Sequence, residues 1–194
     1  LSDKEDCENF KSYRLHEINA LSRENIVESF STGCLFPFIR QRPFNKIPTK
    51  IEFPRDIFIS CINTAPLSVD LDLALRRKQS QFQAGIFALS KLTDGNVHIT
   101  YSEDTVSDTM LETKGAIHHT ISGPHPAGNI GIQIHHIAPL NLKDIVWTLN
   151  AQDVVRIGTF FLTGELDVSS IITLAGSSIK KPAHYVSRIG NEMI

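Results

Sequence analysis

The stretch "DIVWTLNAQDVVRIGTFFLTG", residues 144–164, passes from a β-like apolar run into a helical run with no linker between them. Residues 144–150 read as a buried strand, short and apolar. From residue 151 the pattern becomes helical, with Asn150 placed to cap the start and Gly164 to stop the end. The same alternation runs through the rest of the chain. "RDIFISCIN" (55–63) is a second buried strand, and "TAPLSV" the loop after it. Residues 70–95 read as one helix, with Leu71, Leu75, Phe82, Ile86 and Leu89 on one face and Gly95 as the stop. "NVHITYS", "GAIHHTIS" and "VSSIITLAG" (168–176) add strands, the second after a weak helical stretch around 104–112. This order predicts an α/β fold: a Rossmann-like, largely parallel sheet with flanking helices and right-handed crossovers.

The ends read differently. Residues 1–18 show no clear period and form a lead-in segment from a preceding N-terminal domain. The Rossmann-like domain is expected over 19–180. It opens on "LSRENIVESFSTGCL", a helix capped by Ser22 and stopped by Gly33. "FPFIRQRPFNKIP" follows as an extended stretch punctuated by Pro37, Pro43 and Pro48. Residues 181–194, with the alternating run "HYVSRI", begin a C-terminal domain. The first residue is Leu, which suggests a piece of a longer protein.

Composition narrows the classes of function. The 194 residues carry a net charge of −2, which gives no pull toward nucleic acid. No apolar run approaches the roughly 20 residues needed to span a bilayer, and the polar start "LSDKEDCENF" is not a signal peptide. Three cysteines, Cys7, Cys34 and Cys61, without a CxxC pair fit a reducing compartment. Cys61, inside an apolar strand, is expected to be a buried small hydrophobe.

Five of the eight histidines fall between His118 and His136, around "GPHPAG" at 123–128. A metal site is one reading. Neighbouring residues on a strand point to opposite faces, so neither His118 with His119 nor His135 with His136 can reach one ion from a regular strand. Acidic co-ligands are missing between Gly115 and Pro139. The competing expectation is hydrogen-bonded core or edge histidines, with His136 on the side of Ile132 and Ile134. A phosphate cradle is a second reading, but Gly123, Gly128 and Gly131 do not have dinucleotide or P-loop spacing. The first strand–helix turn, "INTAPLSVD", has no glycine. A rigid loop is the third: Pro124 and Pro126 fix the backbone on either side of His125, while Gly123 and Gly128 permit unusual turns. Arg40 and Arg42 stand two apart between Phe38 and Phe44, so an extended chain turns both one way, as suits a carboxylate or phosphate. Glu165 in "TGE" reads as structural or interfacial, and no G-x-S-x-G frame is present.

Taken together, "RQRPF", "GPHPAG", "IHHIAP", "VWTLNAQDVVRIGTFFLTGEL" and "LAGSSIKKP" resemble the A-subunit of the sodium-translocating NADH:quinone reductases over about residues 21–190. The resemblance implies a middle portion of that protein, with pieces of neighbouring β-rich domains at each end, the C-terminal one β-grasp-like. It implies a peripheral location on the cytoplasmic face of the bacterial inner membrane. The chain would contribute to assembly and to quinone binding, and hold no redox centre of its own. Flavins and iron–sulfur belong to the partner subunits, one of which is a membrane subunit; ubiquinone or menaquinone is the ligand. Gly123, His125, Pro126, Gly128, Arg40 and Arg42 are the quinone or interface candidates, with no catalytic residue and no metal ligand. Gln133 and Ile134 precede His135 where the family is expected to carry a Thr or another small polar residue. The alternative from another class is a stand-alone metal-dependent hydrolase built on the His118–His136 region.

Overall fold

The computed structural model describes residues 10–192. Cys7 and the first half of the 1–18 lead-in lie outside them. Five strands form one sheet in the order β1 (Arg40–Arg42), β5 (Val146–Asn150), β2 (Asp56–Ser60), β3 (Val97–Ser102), β4 (Ile117–Ile121). β5, β2, β3 and β4 run parallel, and β1 adds an antiparallel edge to β5. The mostly parallel α/β sheet expected from the strand–helix alternation is present.

Period-two alternation gives each strand two sides, and each side buries something different. Ile57, Ile59, Ile99, Trp147 and Leu149 face one layer, built from α1 (Leu15–Ala20), α2 (Arg23–Thr32), α4 (Gln79–Ser90) and α7 (Ala151–Thr163). Phe58 and Val146 face the other layer, where Ile134 of α6 (Ile130–Ile137) covers them. α7 behaves as its sequence predicts. The Asn150 side chain accepts from the Asp153 amide at 2.9 Å, and Gly164 stops the helix in the left-handed region at φ 76°. α2 likewise starts at Ser22, whose hydroxyl accepts from the Asn25 amide, and stops at Gly33.

Three expectations are corrected. The helix over 70–95 is two helices, α3 (Leu71–Ala74) and α4, separated by a turn in which Arg77 has φ 61°. The Thr109 hydroxyl, in α5 (Asp108–Leu111), takes the Leu75 carbonyl at 3.0 Å, the group a continuous helix would offer to residue 79. α4 ends at Ser90, and Gly95 instead lets the next turn approach the Arg55 carbonyl, where a Cβ would collide. The strand at 168–176 does not join the parallel sheet. β6 (Ser169–Leu174) pairs antiparallel with β7 (Ala183–Arg188) in a separate two-stranded sheet, from Ser169 opposite Arg188 to Leu174 opposite Ala183. The stretch in which strand geometry places His136 beside Ile132 and Ile134 is helix α6. The isoleucines at 130, 132 and 134 fit period two, but Ile130, Ile134 and Ile137 also fit a helical stripe, and it is this stripe that packs on Phe58 and Val146.

Candidate functional site

In this sheet β2 leads to β3 on one side, and the chain returns to β5 on the other. The topological switch point is therefore between β2 and β5. Open α/β sheets bind ligands in the crevice outside the carboxyl ends of the strands at such a point. Here a crevice of about 1110 Å³ lies there, with Ser60 from the end of β2 and Thr148 and Asn150 from the end of β5 among its walls. Arg40 and Arg42 line it from β1. Gln41 between them is buried on the opposite side, accepting from the Trp147 indole N–H at 3.4 Å. The one-way arrangement of the two arginines expected from their spacing is realised.

The arginines are not equivalent. Arg40 is exposed and its guanidinium donates to the Pro37 and Ile39 carbonyls at 2.6 and 3.0 Å. Arg42 is half-buried, and its Nε is fully shielded from solvent with no hydrogen-bond partner. On the α7 side, Asp153 is tied to Arg156 and to Asn150. Burial pushes the Asp153 carboxyl above the ordinary range, against the pull of Arg156.

The "GPHPAG" loop reaches this crevice at one end only. Gly128 lines it; Gly123, His125 and Pro126 do not, and are exposed. The loop is pinned to the β2–α3 connection through Thr64. The Thr64 hydroxyl accepts from the Gly128 amide at 2.9 Å and lies 3.2 Å from His125 Nδ1. A Cβ on Gly128 would sit 2.6 Å from the Thr64 nitrogen, so this approach requires glycine. Gly123 needs glycine for a different reason, its φ of 129°.

Gln133, read from sequence only as standing where a small polar residue was expected, is the residue whose role the structure supplies. It is fully buried on α6, and its amide N–H group donates to the Ser60 hydroxyl and the Gly128 carbonyl, both at 3.1 Å. Its oxygen accepts from the Thr100 hydroxyl at 2.7 Å. One side chain thus ties β2, β3, α6 and the glycine loop together at the base of the crevice. A glutamine inside an apolar run was the available signal; the strand assignment hid its burial.

The histidines scatter. His118 turns toward the Tyr101 hydroxyl and the Thr113 carbonyl, and His119 toward His98 on the other face, 2.9 Å between ring nitrogens. His135 and His136 are exposed on α6. Among the described residues no three His, Cys, Asp or Glu side chains gather as a metal site would need. Cys61 is buried, as expected, and burial pushes its thiol far up, which makes it a poor nucleophile at neutral pH.

His98 stacks on Phe58 with ring centroids 4.7 Å apart, and Asp56 lies 3.7 Å from its Nε2. Burial pushes both His98 and His119 below the ordinary imidazole range. The unfolded chain therefore takes up protons at higher pH than the native one. Stability is full above the unfolded histidine value of about 6.5 and declines as pH falls through it toward the folded values. The unfolding midpoint should drop between about pH 7 and pH 5, and His98→Phe should flatten that profile, measured by thermal unfolding across the pH series.

The family model described as the second alpha/beta domain of NqrA matches residues 21–166. That span contains the whole five-stranded sheet and the crevice lining from β1 to α7; Ser170 and Ile189, which also line the crevice, lie beyond it. Three curated relatives are named as the A-subunit of Na(+)-translocating NADH-quinone reductase. The Marinomonas sp. protein is 36% identical over 190 residues, covering 96% of this chain and 41% of its own length. The Rhodopirellula baltica protein is 38% identical over 171 residues, covering 88% and 37%. The Serratia proteamaculans protein is 33% identical over 181 residues, covering 93% and 40%. The chain spans about two fifths of the length of these relatives.

Proposed function

Since this chain belongs to the NqrA family, the A-subunit of Na(+)-translocating NADH-quinone reductases, matched through its second α/β domain, we propose that it is part of such a sodium-pumping oxidoreductase complex. The observation that carries the reading is the match over 21–166, which takes in the whole five-stranded sheet and all of the crevice lining except Ser170 and Ile189. The chain's share of the work is assembly with the other subunits, including a membrane subunit, and contact with the quinone. Its location is peripheral, on the cytoplasmic face of the membrane. No helix of the described residues is long and apolar enough to cross a bilayer, which accords with a peripheral location.

The redox centres in this reading, flavins and iron–sulfur, are carried by partner subunits. A cluster of the common kind takes four cysteine thiolates, and this sequence has three cysteines, far apart. The quinone, ubiquinone or menaquinone, lies along the crevice. The ring and isoprenoid body suit its aliphatic wall of Ile62, Leu71 and Ile132, and Arg40, Arg42 and Gly128 stand at its polar side. Gly123, His125 and Pro126, exposed beyond the crevice, serve the subunit interface.

The test uses the full-length protein in native membranes. Purification in mild detergent should bring down membrane flavoprotein subunits, and deletion of the protein should abolish NADH-driven, Na⁺-stimulated quinone reduction. A photoreactive ubiquinone analogue should label peptides from 40–45 or 128–132, and excess unlabelled quinone should suppress the labelling. Purification alone, with activity unchanged by the deletion, would sink the assignment. Labelling confined to other subunits would remove the quinone from this crevice.

A further inference from the structure

We infer that the end of the sheet at which β2 and β5 begin rests on an anionic lipid bilayer, through the loop of residues 43–55 between β1 and β2 and the loop of residues 138–145 between α6 and β5. The strand register puts both loops at one end. Arg42, the last residue of β1, lies opposite Val146, the first of β5, and Asp56, the first of β2, pairs with the same Val146. Hydrogen bonds then tie the loops together. The Arg55 amide donates to the Ile145 carbonyl at 2.7 Å, and its guanidinium to the Pro139 carbonyl at 3.2 Å and to Asp144 at 2.5 Å. Within the first loop, Gln41 and Lys46 exchange backbone hydrogen bonds, and Lys46 pairs with Glu52 at 3.2 Å.

Two features of these loops point to lipid. The first is apolar exposure: Phe44 is 84% exposed, Ile51 79% and Leu142 92%, and Ile47 is exposed beside them. A single exposed apolar side chain is ordinary; four on two joined loops form the kind of patch that marks an interaction surface. The second is charge. The loops hold four cations, Lys46, Lys50, Arg55 and Lys143, against two acids, Glu52 and Asp144. Lys46 neutralises Glu52 and Arg55 neutralises Asp144, while Lys50 and Lys143 are exposed and pair with no carboxylate among the described residues. This local excess stands against a net charge of −2 for the chain, so it turns this end toward a negative surface. The cores of protein interfaces are depleted in lysine. Apolar side chains flanked by lysines, whose heads stay in water, are instead the composition of a membrane interface. The inference deepens the peripheral location proposed above and rests on that reading only for the presence of a membrane.

The probe is a vesicle of phosphatidylethanolamine and phosphatidylglycerol, sedimented with the full-length protein purified free of other subunits. Binding is expected, and it should weaken from about 0.1 M to about 1 M salt as the Debye length falls from about 10 Å to about 3 Å. Lys50→Gln and Lys143→Gln should each lower the affinity roughly fivefold. Phe44→Ser, Ile51→Ser and Leu142→Ser combined should lower it at least about tenfold. Val106→Ser, a residue equally exposed beyond the carboxyl end of β3, should change nothing. Phe44→Trp gives a readout that needs no loss of binding: brominated lipid chains should quench the added indole, measured against the unsubstituted protein. Absence of binding, undiminished binding in the lysine and serine variants, or an unquenched indole would overturn the surface. Equal binding to phosphatidylcholine vesicles would overturn the anionic assignment. If the serine variant binds vesicles normally but loses the partner subunits in mild detergent, the surface belongs to a protein and the lipid assignment falls. Co-purification of the subunits by the unsubstituted protein, which tests the family reading, is scored apart from the vesicles, so either result stands without the other.

Discussion

Replacing Gly158 by valine is expected to destabilise the chain by roughly 3 kcal/mol, at the upper end of the cost of overpacking a core. α4 and α7 lie side by side against the sheet, and their contact is built on two glycines. A Cβ on Gly158 would overlap the Gln81 carbonyl and come within 2.7 Å of the Gly85 nitrogen. A Cβ on Gly85 would come within 2.8 Å of the Val154 side chain and overlap its carbonyl. Backbone meets backbone here, so no side-chain rotation relieves the clash; the helices have to separate. Separation would strip contacts from Phe82, Ile86, Ile157 and Phe161, all fully buried. Urea unfolding followed by the fluorescence of Trp147, the single tryptophan and fully buried, measures the loss. A shift below about 1 kcal/mol would mean that the helix pair relaxes more easily than its packing implies.

Arg156→Met should cost a similar amount, about 3 kcal/mol, the lower end of what breaking a buried ion pair does. The side chain is 4% exposed and fully employed. Its Nε donates to the Asp167 carbonyl and one Nη to the Ser169 carbonyl, each at 2.8 Å. The other Nη pairs with Asp153, and the guanidinium lies 4.8 Å from the Phe38 ring centroid. Methionine keeps much of the volume but strands Asp153 and two carbonyls. The Asp153 carboxyl would lose the one cation paired with it, and its pKa would rise further. Some of the lost stability should therefore return on acidification, as Asp153 becomes neutral. Adding Asp153→Asn should recover part of the loss at neutral pH. Failure of that second substitution to help would locate the cost in the carbonyls that lead into β6.

How much of this was legible beforehand differs between elements. α7 was fully legible, because every determinant is local: the cap at Asn150, the helical stripe and the left-handed stop at Gly164. β2, β3 and β5 were legible as β-forming runs that a parallel sheet buries on both faces, and β4 as a β-forming run that turns out to be a part-exposed edge. α6 was misread because its isoleucines satisfy two periods at once; burial of Gln133, a tertiary fact, decides between them. The break after α3 depends on the hydroxyl of Thr109, a residue 34 positions away from Leu75. β6 looks like any other strand, and only its pairing with β7 separates it from the main sheet.

The candidate site divides in the same way. The pairing of Arg40 and Arg42 on one side of an extended strand follows from period two and needed no structure. Their meeting with Gly128 and the start of α6 did. The sequence by itself determined α2 and α7 with their caps, the strands of the main sheet and the common direction of the two arginines, because these depend on residues a few positions apart. Strand order was decided only in three dimensions. The return of the chain to β5 on the far side of β2 puts the switch point, and with it the crevice, between residues ninety positions apart. No local pattern reports that distance, because it is closed by the packing of two helix layers on opposite faces of one sheet.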